Sequence, residues 1–415
     1  MDRTDAPGPL SRRGPRPLLL HLTLAMLRSQ ASLIGSPNWK AAWPNWSAEA
    51  LARLAAGGPN GGDPQGGPPQ GAPFAEILAH DRALIAGIAA YRRHPWKRDL
   101  PDPPCLWREG GSRLLDYGAE RGGLPVLFVP SLVNRADVLD LAPGHSLLRW
   151  LGAQPGVRPL LLDWGWPGEA ERRFTLTDYV AGRLERGLAA AAQAAGDCPV
   201  VLAGYCMGGT LAVAAAQRRP DLVRALALLA APWDFHADAP DNARLAGQAL
   251  RALEPGMAFA GALSVDAIQT MFALLDPAGI ADKYRSFARL PPDGARARLF
   301  VALEDWLNDG IPLAAPVARE CLGGWYGENA PGRGEWRIAG LPVAPASLAM
   351  PALVVVPGRD RIVPPAAARP LAALIPGAVL HEPQAGHIGM AAGSGAERAL
   401  WRPLLEWLYR LPEAL

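Results

Sequence analysis

Cys206 stands in Gly204-Tyr205-Cys206-Met207-Gly208, between the apolar run "VVLA" and the alanine-rich run "TLAVAAAQ". The G-x-C-x-G spacing is that of a nucleophile elbow, a sharp strand-to-helix turn that lifts one side chain above a sheet edge. Flanking glycines keep such a turn free of clashes. Cysteine takes the place of the usual serine. At the start of a helix the unpaired backbone N–H groups and the dipole favour a thiolate, and the N–H of Met207 can donate to a developing oxyanion. The same five residues could also form a plain packing turn around a buried thiol, so the assignment depends on partners farther along the chain.

Two partners follow in the order nucleophile, acid, histidine. Asp360 lies in "PGRDRIVPP" after the apolar run "ALVVVPG", and His387 lies in "PQAGHIGM" after "AVLHEP". Both fall in loops at the carboxyl ends of expected strands, where an α/β sheet builds its site. In these roles His387 takes the proton of Cys206 and Asp360 fixes the imidazole tautomer. Asp234, in "LLAAPWDF", also follows a strand end and is the rival acid; Asp360 is preferred. The second oxyanion donor is expected in the loop after "PVLFVP", as a backbone N–H near Leu132 or Val133.

The elements that must position these groups are legible as alternating patterns. The runs "LPVLFVPS", "VRPLLLDWG", "CPVVLAG", "VRALALLAAP", "PALVVVPGRD" and "PGAVLHEP" are short, apolar and uncharged at their centres, as strands buried on both faces are. Helical segments separate them, among them "TDYVAGRLERGLAAAAQAAG" with Thr177 as N-cap and Gly196 as stop. This β-α-β series predicts an α/β fold with a doubly wound, mostly parallel sheet. The alternation lapses over about 234–348, a helix-rich insertion read as a cap. Upstream, residues 57–73 ("GGPNGGDPQGGPPQGAP") form a Gly/Pro-rich linker. The expected organisation is an N-terminal helical segment at 1–56, that linker, and a catalytic domain over 74–415.

Composition narrows the function. The 415 residues are 50% hydrophobic and 19% charged, with 41 basic against 39 acidic side chains. That composition suits a globular protein, and that balance argues against a nucleic-acid partner. Cys105, Cys198, Cys206 and Cys321 form no C-x-x-C pair, so neither a disulfide framework nor metal ligation is indicated, and a cytoplasmic location is expected. The longest uncharged stretch of "RPLLLHLTLAMLRSQASLIG", Pro17 to Leu27, is too short for a membrane span and no cleavage site follows, which leaves an amphipathic helix that packs on the main domain or adheres to an apolar surface. Trp39, Trp43 and Trp46 suit an interface or a core. His94 reads as a structural loop contact, Trp306 and Trp325 as cap packing, and Asn134 and Asp140 as pocket-mouth or helix-capping residues. Arg135 reads as a solvated arginine or an attractor of phosphates.

At these residues the chain resembles the polyhydroxyalkanoate synthases of the α/β-hydrolase superfamily. "GYCMGGT" is similar to that family's cysteine box with its double glycine, Gly208-Gly209, and "VPSLVNRADVLDLAPGHSLLRWL" to its stretch after the oxyanion strand. "YRRHPWKRDLPDPP" resembles its lead-in, while "LEDWLNDG" and "GHIGM" look most like its short catalytic subunits. The likeness covers roughly residues 80–415. It implies an α/β-hydrolase fold with a cap and polymerisation of (R)-3-hydroxyacyl-CoA through an acyl-Cys206, with CoA released. No cofactor is implied beyond the CoA thioester substrate. His387 would be the base, and Asp360 would help activate the incoming 3-hydroxyl. Implied partners are the growing polyester, a partner synthase subunit or a homodimer, and the surface of a polymer granule. Two other outcomes compete: a cysteine hydrolase of polyester, thioester or lactone, and a silent granule scaffold, against which the intact Cys206, Asp360 and His387 argue.

Overall fold

The computed structural model describes residues 12–34, 74–118 and 122–412. The Gly/Pro-rich stretch 57–73 and Trp39, Trp43 and Trp46 lie outside the described residues. The chain divides into two compact units, one formed by Asp99–Val265 with Asp309–Leu415 and the other by Met1–Arg98 with Asp266–Asn308.

The first of these holds an eight-stranded sheet. Its strands are β1 (Cys105–Glu109), β2 (Ser112–Asp116), β3 (Leu124–Val129), β4 (Val157–Asp163), β5 (Val200–Tyr205), β6 (Val223–Leu229), β7 (Ala352–Val355) and β8 (Val379–His381), in the order β1-β2-β4-β3-β5-β6-β7-β8. From β4 to β8 every pairing is parallel, with Val129 beside Gly204 and Tyr205 beside Leu229. These six strands are the six apolar runs of the sequence, and the doubly wound α/β expectation holds. The central strands are buried throughout, which explains why they read as unbroken hydrophobic stretches rather than alternating ones.

β1 and β2 were not legible as strands. They form an antiparallel hairpin at the sheet edge, turned at Gly110 with φ +55°, and carry Arg108, Glu109, Arg113 and Asp116 among their few apolar residues. An edge strand tolerates charge because one flank faces no partner.

The helix after β4 begins at Leu176. Thr175 is the cap: its backbone N–H and hydroxyl donate to Asp178 Oδ2 at 2.8 and 2.6 Å, and Asp178 N–H returns a bond to the Thr175 hydroxyl at 3.2 Å. Thr177 has helical angles and instead accepts from Ala339 N–H. The first turns, Asp178–Leu184, are wound as a π-helix that runs into α1 (Glu185–Ala194), and Gly196 ends it at φ +77°. α2 (Met207–Arg218) follows β5 directly.

In the other unit, helices Leu18–Ile34, Phe74–Arg93, Gly279–Phe287 and Ala295–Asn308 enclose their own core. Ala25, Leu84, Ile88, Tyr91, Tyr284, Phe287 and Val301 meet there, with Tyr91 edge-on to Tyr284 and Phe287 stacked on Phe300. The stretch 234–348 is therefore divided. Residues 266–308 join the N-terminal helices, while α3 (Pro240–Ala260) and the π-helical segment Glu320–Gly327 stay with the sheet. Among the described residues no helix is long and apolar enough to cross a membrane.

Candidate active site

Cys206 has φ +55° and ψ −131°, a combination rarely adopted by a residue with a side chain. The turn is held from both sides, because Cys206 N–H donates to Leu229 O and its carbonyl accepts from Gly209 N–H, each at 2.9 Å. Two glycines make this approach possible. A Cβ on Gly204 would lie 2.3 Å from Gly209 Cα, and one on Gly208 would lie 2.1 Å from Val129 O. The second contact brings the start of α2 against the end of β3, where the loop carrying Leu132 and Val133 begins.

α4 (His387–Ala392) starts at the histidine itself. His387 Nδ1 and Asp360 Oδ2 are 2.6 Å apart, both side chains buried. The other Asp360 oxygen accepts from Ile362 N–H and Val363 N–H, each at 2.9 Å, so the carboxylate is aimed by its own loop. On the far side lies Cys206, whose charge acts on the imidazole. Burial opposes an imidazolium here. The influence of Cys206, the hydrogen bond to Asp360 and the Asp360 charge outweigh it and raise His387 to about 10.

Asp234 is not part of this chain of contacts. Its Oδ1 accepts from His236 N–H at 3.0 Å and Asn329 Nδ2 at 2.8 Å. The backbone donors also separate. Val133 N–H is already given to the Ser131 hydroxyl at 3.0 Å, whereas Leu132 N–H has no hydrogen-bond partner among the described residues. Met207 is the first residue of α2, and its N–H has no acceptor within the helix. Trp164 steadies the same loop by donating its indole N–H to Pro130 O at 2.9 Å.

Three further residues reach the site that the sequence did not single out. Tyr205 packs its ring 5.1 Å from the His387 ring and donates its hydroxyl to His387 O at 3.2 Å. Tyr326 lies close enough to Cys206 for the thiol's charge to act on its phenol. Asn329 ties the segment carrying Tyr326 to the loop after β6. The only signal for Tyr205 is its place inside the elbow, and Tyr326 cannot be told from a core aromatic by sequence.

A family model described as the alpha/beta hydrolase fold matches residues 125–393. Among curated proteins, the chain is 30% identical over 308 residues to the poly(3-hydroxyalkanoate) polymerase subunit PhaC of Haloferax mediterranei, covering 73% of this chain and 62% of that one. A protein of the same description from Synechocystis sp. is 30% identical over 294 residues, covering 69% and 77%. The chain belongs to the PhaC family of poly(3-hydroxyalkanoate) polymerases, within the alpha/beta hydrolase fold. The PhaC protein of Haloarcula marismortui is 28% identical over 315 residues, and the chain spans less than two thirds of the length of either haloarchaeal relative.

In this PhaC family member the remaining candidates sit as follows. Asp140 is buried and accepts from Ser146, Arg149 and Tyr117, a support for the strand ends rather than a lining group. Asn134 is buried with φ +66° in the loop after β3. Arg135 pairs with Asp309 at 2.7 Å and lies over the Trp166 ring. His94 accepts from Trp96 N–H and donates to Pro292 O, a loop contact. Trp306 and Trp325 are both buried. Cys105 and Cys198 are exposed, while Cys321 is buried, which pushes its thiol well up.

Proposed function

We propose that this protein is an acyltransferase that polymerises (R)-3-hydroxyacyl-CoA through a thioester on Cys206 and releases CoA. The observation that carries the reading is the strained cysteine elbow facing an Asp360-bound His387 in a member of the PhaC family. His387 takes the Cys206 proton and the thiolate adds to the substrate carbonyl. The oxyanion lies within reach of Met207 N–H and Leu132 N–H. Collapse breaks the bond to the CoA sulfur, which leaves with the proton from His387. The 3-hydroxyl of a further unit then gives its proton to His387 and attacks the acyl-Cys206. An ester forms and the Cys206 thiol is regenerated. Asp360 holds the imidazole through Nδ1 in both halves. Entry onto a thiol is nearly isoenergetic because one thioester replaces another, and a serine elbow offers no such entry.

The description of the relatives as polymerase subunits supports assembly with a partner subunit or a second copy. For attachment to a polymer granule we propose the helix Leu18–Ile34, which buries Ala25 in its unit's core and leaves Leu19 77% and Met26 60% exposed, seven residues apart on one face. Purified protein incubated with 3-hydroxybutyryl-CoA tests the activity. Free CoA with insoluble polyester is the expected result, and CoA with only free 3-hydroxybutyrate makes the protein a hydrolase.

A further inference from the structure

His387 stands on a helix that depends on its surroundings for its position. α4 has only six residues, and its closing carbonyls lack partners within the helix. Met390, Ala391 and Ala392 are fully buried, so their carbonyls must be served by the protein rather than by bulk water. Two side chains from distant segments do this. Trp401 Nε1 donates to Ala391 O at 2.9 Å, and His145 Nδ1 donates to Ala392 O at 3.1 Å. At the other end the Tyr205 hydroxyl donates to His387 O at 3.2 Å, so α4 is held at both ends. His145 is delivered by a hairpin that the sequence specifies closely. Asp140–Ala142 pairs with His145–Ser146, and Pro143 and Gly144 form the two-residue turn, with Gly144 at φ +75°. The buried Asp140 anchors the base of this hairpin by accepting from Ser146 Oγ and Arg149 Nε, each at 2.7 Å. Between the hairpin and the loop carrying Leu132 lies the turn Ala136–Leu139, which packs against α4. One continuous stretch, 132–145, therefore carries the Leu132 N–H and also reaches the far end of the helix that bears His387.

We propose that His145 is a positioning residue for the base: by donating from Nδ1 to Ala392 O it fixes α4, and with it the His387 imidazole against Asp360. His145 touches no reacting atom in this role and acts through the helix alone. The geometry leaves little play, because His387 Nδ1 and Asp360 Oδ2 are 2.6 Å apart. A slip of α4 by about 1 Å takes that pair beyond hydrogen-bond range. The proposal rests on the acyltransferase reading for its kinetic test and on the fold alone for its spectroscopic one.

Two readouts on the full chain test it, with His145→Ala compared against His145→Asn. The asparagine amide sets an N–H two bonds from Cβ, where the imidazole Nδ1 stands, and so restores the donor without the ring. The first readout is the CoA burst with 3-hydroxybutyryl-CoA in single turnover. His145→Ala is expected to slow it by about tenfold or more with KM unchanged, and His145→Asn to return it to within about threefold of wild type. The second is the low-field proton NMR signal of the His387–Asp360 hydrogen bond, which His145→Ala should broaden or lose and His145→Asn should keep. Survival of that signal in His145→Ala overturns the assignment whatever the burst does, because the base has then not moved. A His145→Asn variant no better than His145→Ala also overturns it and makes His145 a packing residue. Wild-type protein that releases no CoA overturns the acyltransferase reading, and the NMR signal still decides the role of His145. If His145→Ala does not fold, His145→Leu fills the space without a donor and is read by the same signal.

Discussion

Asp360 and Glu304 are both buried carboxylates, 5% and 3% exposed, in different units of the molecule. Glu304 is saturated by fixed partners: Lys283 Nζ at 2.6 Å on one oxygen and the Tyr284 hydroxyl at 2.8 Å on the other. Asp360 spends one oxygen on two loop amides and turns the other to an imidazole that can gain or lose a proton. Equal burial therefore serves different ends. The first arrangement closes on itself and ties the helix Ala295–Asn308 to Gly279–Phe287, while the second leads through His387 toward the thiol.

Four measurements press on this contrast. The largest effect is expected for Cys206→Ala, which removes covalent catalysis and should lower CoA release by about a thousandfold or more, roughly 4 kcal/mol, with the fold intact. Undiminished release would end the triad assignment.

Next, Asp360→Asn should cut turnover by about a hundredfold or more, because an amide can hold the wrong imidazole tautomer. Asp234→Asn should cost only a few-fold, since Asp234 serves the Asn329 clasp. Glu304→Gln should show the opposite profile, retaining turnover at room temperature while losing about 1–3 kcal/mol of stability in urea titration. If Glu304→Gln abolished turnover without a stability loss, the division between the two carboxylates would fail.

The third effect is on pH. Because the folded His387 is raised above its ordinary 6.5 to about 10, its protonation stabilises the fold fully below about pH 6.5 and loses that contribution as pH rises through about 10. Imidazole NMR should find His387 protonated well above pH 7 in the wild-type protein and titrating lower in Cys206→Ala, where the thiol's charge is gone. Equal midpoints in the two would show that Cys206 does not act on His387.

The smallest effect concerns attachment. Leu19→Glu with Met26→Glu should weaken sedimentation with polyester granules several-fold while leaving the unfolding midpoint and CoA release in place, because both side chains are exposed. Unaltered sedimentation would remove this helix from the granule surface.

Much of the fold could be read from the chain, because buried parallel strands advertise themselves as uncharged apolar runs. All six runs became strands, and the G-x-C-x-G spacing located the turn whose two glycines the close backbone contacts require. The β1–β2 hairpin escaped because an edge strand need not be apolar, and the true cap at Thr175 escaped because Thr177 offered the same side chain two residues later. Residue types and order along the chain nominated Cys206, Asp360 and His387, together with Asp234 as a competing acid. Which carboxylate faces the imidazole, that Val133 N–H is already taken while Leu132 N–H is not, and that the Tyr205 hydroxyl meets His387 O across 182 residues of chain are matters of which groups the fold brings together. So is the division of 234–348 between two cores. Local propensity and apolar pattern are written in near neighbours, but a hydrogen bond or a packed face belongs to groups that only the closed chain brings together.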